Sequence, residues 1–210
     1  MQCSEESLFF IMLNIIFNWI LDNYIELIGS ILGVFYVLLA SKQNIWCWLM
    51  GIVSCALYIF VFFAARLYGD MALQFFYLIM GFYGWYAWFI KKNGKKVLKI
   101  NTIKHSFIVF MLLSVSAMTV IFGYMLSFTN NPIPYIDGFT SALGLAGTWM
   151  TARKYIENWW LWIFANTFCV GVYLYRDLYP TAIFYLIMAI LAYRGYIIWK
   201  NEFKFQNNAQ

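Results

Sequence analysis

A displacement of 111 residues lays this chain on itself without a gap. Glu26 falls on Asp137, Ser30 on Ser141, Gly33 on Gly144 and Lys42 on Arg153. Trp48 falls on Trp159, Leu67-Tyr68 on Leu178-Tyr179, Gly84 on Gly195 and Trp88 on Trp199. Helix starts, loop charges and helix ends all match in one register, which chance does not produce. The repeated unit holds three of seven apolar runs: Tyr24–Ser41, Ile45–Ala65, Asp70–Ile90, Lys104–Leu126, Tyr135–Ala152, Asn158–Arg176 and Pro180–Lys200. Each is about as long as a bilayer is thick. Backbone polar groups in hydrocarbon must be satisfied within the segment, so the runs are expected to be helices; barrel strands would alternate instead. Run five begins four crossings after run one, an even number, so the two copies point the same way. The expected fold is an all-α integral membrane protein with seven transmembrane helices in a 3+1+3 parallel repeat. That is a transporter plan, with a substrate site between the copies near mid-membrane.

The composition agrees. The chain is 64% hydrophobic and only 11% charged, against about half apolar and a quarter charged in soluble domains. Lys42, Lys91, Lys92, Lys95, Lys96, Lys99, Lys104, Arg153, Lys154, Lys200 and Lys204 fall on one side of the spans, and only Arg66 and Arg176 on the other. By the positive-inside rule the lysine side is cytoplasmic, the N-terminus outside and the C-terminus inside. The net charge of +5 is then a matter of topology and calls for no nucleic acid. Residues 1–23 hold an apolar run of about 14 residues from Leu8 to Leu21, short of the roughly 20 needed to cross. They read as an interfacial segment, followed by a first three-helix bundle (24–90), a basic loop and linker helix (91–134), a second bundle (135–200) and a cytoplasmic tail (201–210).

Polar residues inside spans are the default functional candidates, because lipid burial is costly. In span three Gln74, Tyr77, Gly81, Trp85 and Trp88 share a face; in span six Trp159, Trp162, Asn166 and Tyr173 do; span five adds Thr140, Ser141, Gly144 and Thr148. Gly144 and Gly147 allow close approach of a helix or ligand. An amide both donates and accepts, so Gln74 or Asn166 suits a carboxamide. Aromatic faces attract a cationic ring by roughly 0.5–2 kcal/mol. Together these point to a flat, positively charged heterocycle. Trp46, Trp85, Trp88, Trp160 and Trp199 read instead as interfacial belt or packing. Trp159 and Gln74 stay open between a site role and a structural one. Glu26 and Asp137 read as helix-start charges, Asp70 and Asp177 as solvated loop partners of Arg66 and Arg176, and Arg194 as a snorkelling cation.

Cys3, Cys47, Cys55 and Cys169 have no ligand-like spacing and His105 is the only histidine. No metal, cofactor or catalytic residue is expected. An intramembrane enzyme would need a paired aspartate, a Ser/His arrangement or a zinc motif within a span. Neither a nucleotide-binding loop nor a mid-span acid stands ready to power transport, which leaves facilitated diffusion.

Leu67-Tyr68-Gly69-Asp70, Gln74-Phe75-Phe76-Tyr77 and Tyr83-Gly84-Trp85-Tyr86-Ala87-Trp88 resemble the first half of the PnuC-type vitamin transporters. Arg153-Lys154-Tyr155-Ile156-Glu157-Asn158-Trp159, then Trp162 and Asn166, is similar to their second half. The resemblance covers residues 24–200 and implies a doubled half-sugar-transporter fold, assembled as a homotrimer in the bacterial inner membrane. It also implies uptake of nicotinamide riboside, trapped afterwards by cytoplasmic phosphorylation. The family's tryptophan motif and amides map onto Trp159, Trp162 and Asn166. Thiamine and riboflavin carriers belong to the same family, so thiamine stays open as the alternative small cationic vitamin. The expected substrate-binding set is Trp162, Asn166, Trp159, Gln74, Tyr77, Tyr173 and Thr148. Trp162 aligns with Gly51 and Asn166 with Cys55, so these two break the repeat and are the sharpest candidates.

Overall fold

The computed structural model describes residues 24–92, 95–96, 98–129 and 131–208, with Asn14, Phe17, Asn18 and Leu21 before them. The question of whether residues 8–21 cross the membrane lies outside the described residues. Seven helices follow: α1 (Tyr24–Ser41), α2 (Trp46–Ala64), α3 (Tyr68–Phe89), α4 (His105–Ser127), α5 (Pro134–Ala152), α6 (Asn158–Tyr175) and α7 (Tyr179–Asn208). Between α3 and α4 a short antiparallel pair, β1 (Lys91–Lys92) and β2 (Lys95–Lys96), turns the basic segment back on itself. The helix bounds lie within one or two residues of the apolar runs, apart from the far end of α7. It continues past Lys200 to Asn208, because no glycine or proline interrupts residues 201–208.

Six helices close a ring in the order α1, α2, α3, α5, α6, α7 and back to α1, while α4 packs against α5. At that outer contact glycines replace side chains: a Cβ on Gly138 would lie 2.6 Å from the Gly123 backbone nitrogen. Such small-residue contacts let helix backbones touch where lipid removes any hydrophobic drive for association. The outward faces are apolar and exposed, as at Phe63, Ile79, Phe82, Leu113, Ile121 and Ile190.

Four helices, α1, α2, α4 and α7, are long and apolar enough to cross a membrane by composition alone. The other three, α3, α5 and α6, carry the polar residues Gln74, Asp137, Thr140, Ser141, Thr148, Asn158 and Asn166. They fall short of a uniform apolar run because they turn those groups inward.

Helix ends recur at the 111-residue spacing. After α1, Asn44 N–H donates to Leu39 O and Gln43 N–H to Ala40 O; after α5, Tyr155 N–H donates to Met150 O and Lys154 N–H to Thr151 O. After α2 and α6 the same pair of bonds runs from Leu67 and Arg66 to Phe62 and Phe63, and from Leu178 and Asp177 to Tyr173 and Leu174. These are Schellman ends, whose last residue must be left-handed. Gln43, Arg66, Lys154 and Asp177 take it, with φ of 52°, 59°, 56° and 57°, although none is glycine.

The lysine-bearing loops meet at one end of the ring. Trp88 Nε1 donates to Ala152 O and Trp199 Nε1 to Ala40 O, each at 3.1 Å. Lys154 Nζ donates to Gln43 Oε1 at 2.9 Å and lies 4.6 Å from the centre of the Trp88 ring. Lys154 is therefore at the basic end, as its charge requires, yet only 3% exposed. Trp48, Trp88, Trp159 and Trp199 form a buried plug there. A Cβ on Gly84 would fall on the Trp48 ring and one on Gly195 on the Trp159 ring.

Candidate functional site

Above the plug the ring encloses a cavity of about 320 Å3. Its walls come mainly from the three polar helices: Gln74 and Tyr77 of α3, Asp137, Thr140, Ser141 and Gly144 of α5, and Trp162, Asn166, Cys169 and Tyr173 of α6. On α6 these recur at intervals of three or four residues, so one helical face carries the whole stripe. Phe62 and Tyr185 complete the wall. Two smaller apolar cavities, each of about 160 Å3, lie on the other sides of Trp162. Trp162 lines all three.

The Trp162 ring is held from two directions. It rests over Gly147, where a Cβ would stand 2.9 Å from the indole, and its Nε1 lies 3.3 Å from Thr151 Oγ1, to which it donates. Thr151 Oγ1 also lies 3.1 Å from Asn158 Oδ1, and Asn158 Nδ2 donates to Tyr155 O at 2.6 Å. The shorter bond of the Thr151 hydroxyl is its donation to Gly147 O at 2.8 Å, so the indole is anchored to α5, beside the fully buried Asn158. Gly147 thus gives the close approach expected of it, and Gly144 does the same beneath the Tyr77 hydroxyl.

Asn166 is buried and lines both the main cavity and one smaller one. Its side-chain amide makes no hydrogen bond among the described residues, whereas buried amides are ordinarily paired. It is therefore available to a solute. Gln74 and Tyr77 line the main cavity too, and Tyr173 lies there with its ring stacked on Tyr185 (5.1 Å, 11°). Thr148 lines a smaller cavity, with its hydroxyl spent on Gly144 O at 2.8 Å. Trp159 also borders a smaller cavity, but its ring is edge-on to Trp199 (5.5 Å, 87°) and wedged at Gly195.

Asp70 is a correction. Among the described residues it makes no ion pair with Arg66; it lines the main cavity together with Asp137. Both Arg66 and Asp70 are exposed, and the start of α3 shares the cavity with α5. Asp137 accepts from Asn131 Nδ2 at 2.7 Å, while its counterpart Glu26 is exposed and outside the cavity. Asp177 likewise pairs with no arginine among the described residues and accepts from the Tyr179 hydroxyl at 3.0 Å. The residues missed by sequence reading are Asp70 as a lining group, Tyr185, Tyr36 and Thr151. Tyr185 was within reach: the 111-residue shift lays it on Gln74.

Among the described residues no lysine, arginine or histidine lines any of the three cavities. The main one has two carboxylates near its mouth, an aromatic wall and a free amide at its depth. Such a lining is electrostatically better suited to a flat cation than to an anion.

Comparison with known proteins gives this chamber a setting. The chain is 26% identical over 206 residues to the nicotinamide riboside transporter PnuC of Escherichia coli (strain K12), covering 86% of each. It is 24% identical over 153 residues to the riboflavin/roseoflavin transporter RibM of Streptomyces davaonensis, covering 70% of each. Its fold is similar to the crystal structure of the vitamin B3 transporter PnuC, with a TM-score of 0.70 at 20% identity, over 94% of this chain and 89% of the other. The family model described as nicotinamide mononucleotide transporter matches residues 23–201. With nearly the whole ring inside that match, the chain belongs to this family of multi-pass membrane vitamin transporters.

Proposed function

We propose that the chain imports nicotinamide riboside by facilitated diffusion. The observation that carries this reading is the charge of the chamber: Asp70 and Asp137 line it and, among the described residues, no basic one does. A riboside with a cationic pyridinium ring suits that field. The mononucleotide of the family's description would bring a phosphate against two carboxylates, and nothing in the lining would compensate it. Trp162 supplies a face for the ring and Asn166 an amide for the carboxamide; Gln74, Tyr77 and Tyr173 complete the chamber, while Thr148 and Trp159 line the two smaller cavities beside Trp162. The relatives' printed substrate, at 26% identity, supports the same choice.

The finer architecture belongs to the same proposal. Two parallel three-helix units, α1–α3 and α5–α7, are joined by α4 as in a doubled half-sugar-transporter, and they rock about the axis between them. The basic end lies in the cytoplasm, the N-terminus outside, and the inner-membrane assembly is a homotrimer. Phosphorylation in the cytoplasm then holds the imported riboside inside.

The test is uptake of radiolabelled nicotinamide riboside by proteoliposomes, with thiamine, riboflavin and nicotinamide mononucleotide as competitors. Saturable uptake without an imposed ion gradient, competed by the unlabelled riboside and not by the mononucleotide, is expected. Uptake that requires a proton or sodium gradient overturns facilitated diffusion. Stronger competition by thiamine transfers the assignment to that cation, which shares the charge and the flat ring. The riboflavin relative makes the neutral vitamin a necessary third arm.

A further inference from the structure

Tyr36 stands at the position that the 111-residue shift lays on Gly147, and Trp162 at the one it lays on Gly51. These four residues are paired in space. A Cβ on Gly51 would lie 3.1 Å from the Tyr36 ring, and one on Gly147 would lie 2.9 Å from the Trp162 ring. Ring and glycine have exchanged helices: α1 carries the ring over a glycine of α2, and α6 carries the ring over a glycine of α5. The two rings consequently reach the centre from opposite halves, and both line the two smaller cavities, one of them shared with Asn166.

Among the described residues the Tyr36 hydroxyl oxygen is buried and makes no hydrogen bond of good geometry; the Thr151 hydroxyl is the side chain near enough to interact with it. Neighbouring hydroxyls are spent on backbone carbonyls: Ser54 on Gly29, Thr148 on Gly144 and Thr151 on Gly147, each at 2.8 Å. Thr148 and Thr151 bend back to carbonyls of their own helix and Ser54 reaches one of α1; a phenol is held too far from its own helix to bend back in this way. Beside it there is room, because a Cβ on Gly33, one turn earlier on the same face, would meet nothing within 4 Å. Buried hydroxyls are normally completed by a partner, and the residue that carries this one lines both smaller cavities.

We propose that Tyr36 is a specificity-determining residue whose hydroxyl bonds the polar substituent of the planar ring lying against Trp162. This rests on the reading of the chain as a carrier of a flat, cationic heterocycle. A phenol donates and accepts, so it complements a carboxamide through either its oxygen or its nitrogen. Asn166 addresses the same group from the second half. Recognition thus requires both halves at once.

The experiment uses the full chain and Tyr36→Phe in detergent, first measuring wild-type binding of nicotinamide riboside, thiamine and riboflavin. Wild-type protein that binds none of them overturns the carrier reading and the role of Tyr36 with it. With the vitamin that does bind, Tyr36→Phe is expected to weaken affinity about tenfold and to raise the ligand-free melting temperature by about 1–3 °C. A merely structural hydroxyl would not move these two readouts in opposite directions. Unchanged affinity overturns the proposal. So does a lower ligand-free melting temperature, since the hydroxyl would then have a partner within the chain. If the riboside is the ligand, an analogue without its carboxamide should bind wild type and variant equally; a tenfold gap that persists assigns the hydroxyl to the sugar and overturns the ring-substituent role.

Discussion

The first three helices and the last three agree at the basic end and differ in the middle. At the basic end Trp48 lies edge-on to Trp88 at 5.5 Å and 90°, and Trp159 to Trp199 at 5.5 Å and 87°. Both pairs wedge against a glycine, and among the described residues both leave the first indole N–H without a partner. Even the cross-links are reciprocal, with Trp88 reaching a carbonyl of the second half and Trp199 one of the first. In the middle, Tyr36 faces Gly147, Gly51 faces Trp162 and Cys55 faces Asn166 as repeat equivalents. Closing one end of a ring is a task two identical halves can share. Holding an asymmetric solute is not, because identical walls would offer it the same groups twice.

The sharpest way to break this contrast is at Trp162. Trp162→Ala removes the ring face common to all three cavities and should cost on the order of 3 kcal/mol of vitamin binding, about a hundredfold in affinity. Calorimetric titration of the purified protein reads it, and an affinity within threefold of wild type would remove the middle of the ring from ligand recognition.

The symmetric end is tested by adding one methyl group to each half. Gly84→Ala and Gly195→Ala each drive a Cβ into a tryptophan ring and should each cost about 2 kcal/mol of stability. Thermal unfolding in detergent should show similar drops for both. One tolerated and one damaging substitution would mean that the halves do not close the end in the same way.

A smaller effect is expected at the mouth. Asp137 lines the chamber and Glu26 does not, although the repeat equates them. Asp137→Asn should slow uptake of a cationic vitamin roughly twofold at low salt, with the difference shrinking as ionic strength rises. Glu26→Gln should leave uptake unchanged. Equal effects of the two would place both charges in a general surface field instead of at the entrance.

Much of this was legible in the chain. Helix bounds are local: they follow from apolar length and from turns whose bonding is set within six residues, as at Leu39–Asn44 and Met150–Tyr155. The α6 stripe of Trp162 and Asn166 was visible because residues four apart share a face. Asp70 was misread for the opposite reason. Its sequence neighbour Arg66 offered an ion pair, while its spatial neighbour Asp137 lies on a helix two elements away. Lys154 looked like an ordinary loop charge, and only the meeting of the two equivalent turns revealed its contact with Gln43.

Local sequence alone sets the ends of the seven helices from Tyr24 onward and the side of the spans on which most lysines fall. Each follows from short-range hydrogen bonding or from the free energy of putting side chains in lipid. Which departures from the repeat meet one another depends on packing across the ring. Whether the Tyr36 ring covers Gly51, and whether its hydroxyl finds a partner, depends on how six helices close around a common space. That closure is set by side-chain volumes contributed from the whole ring.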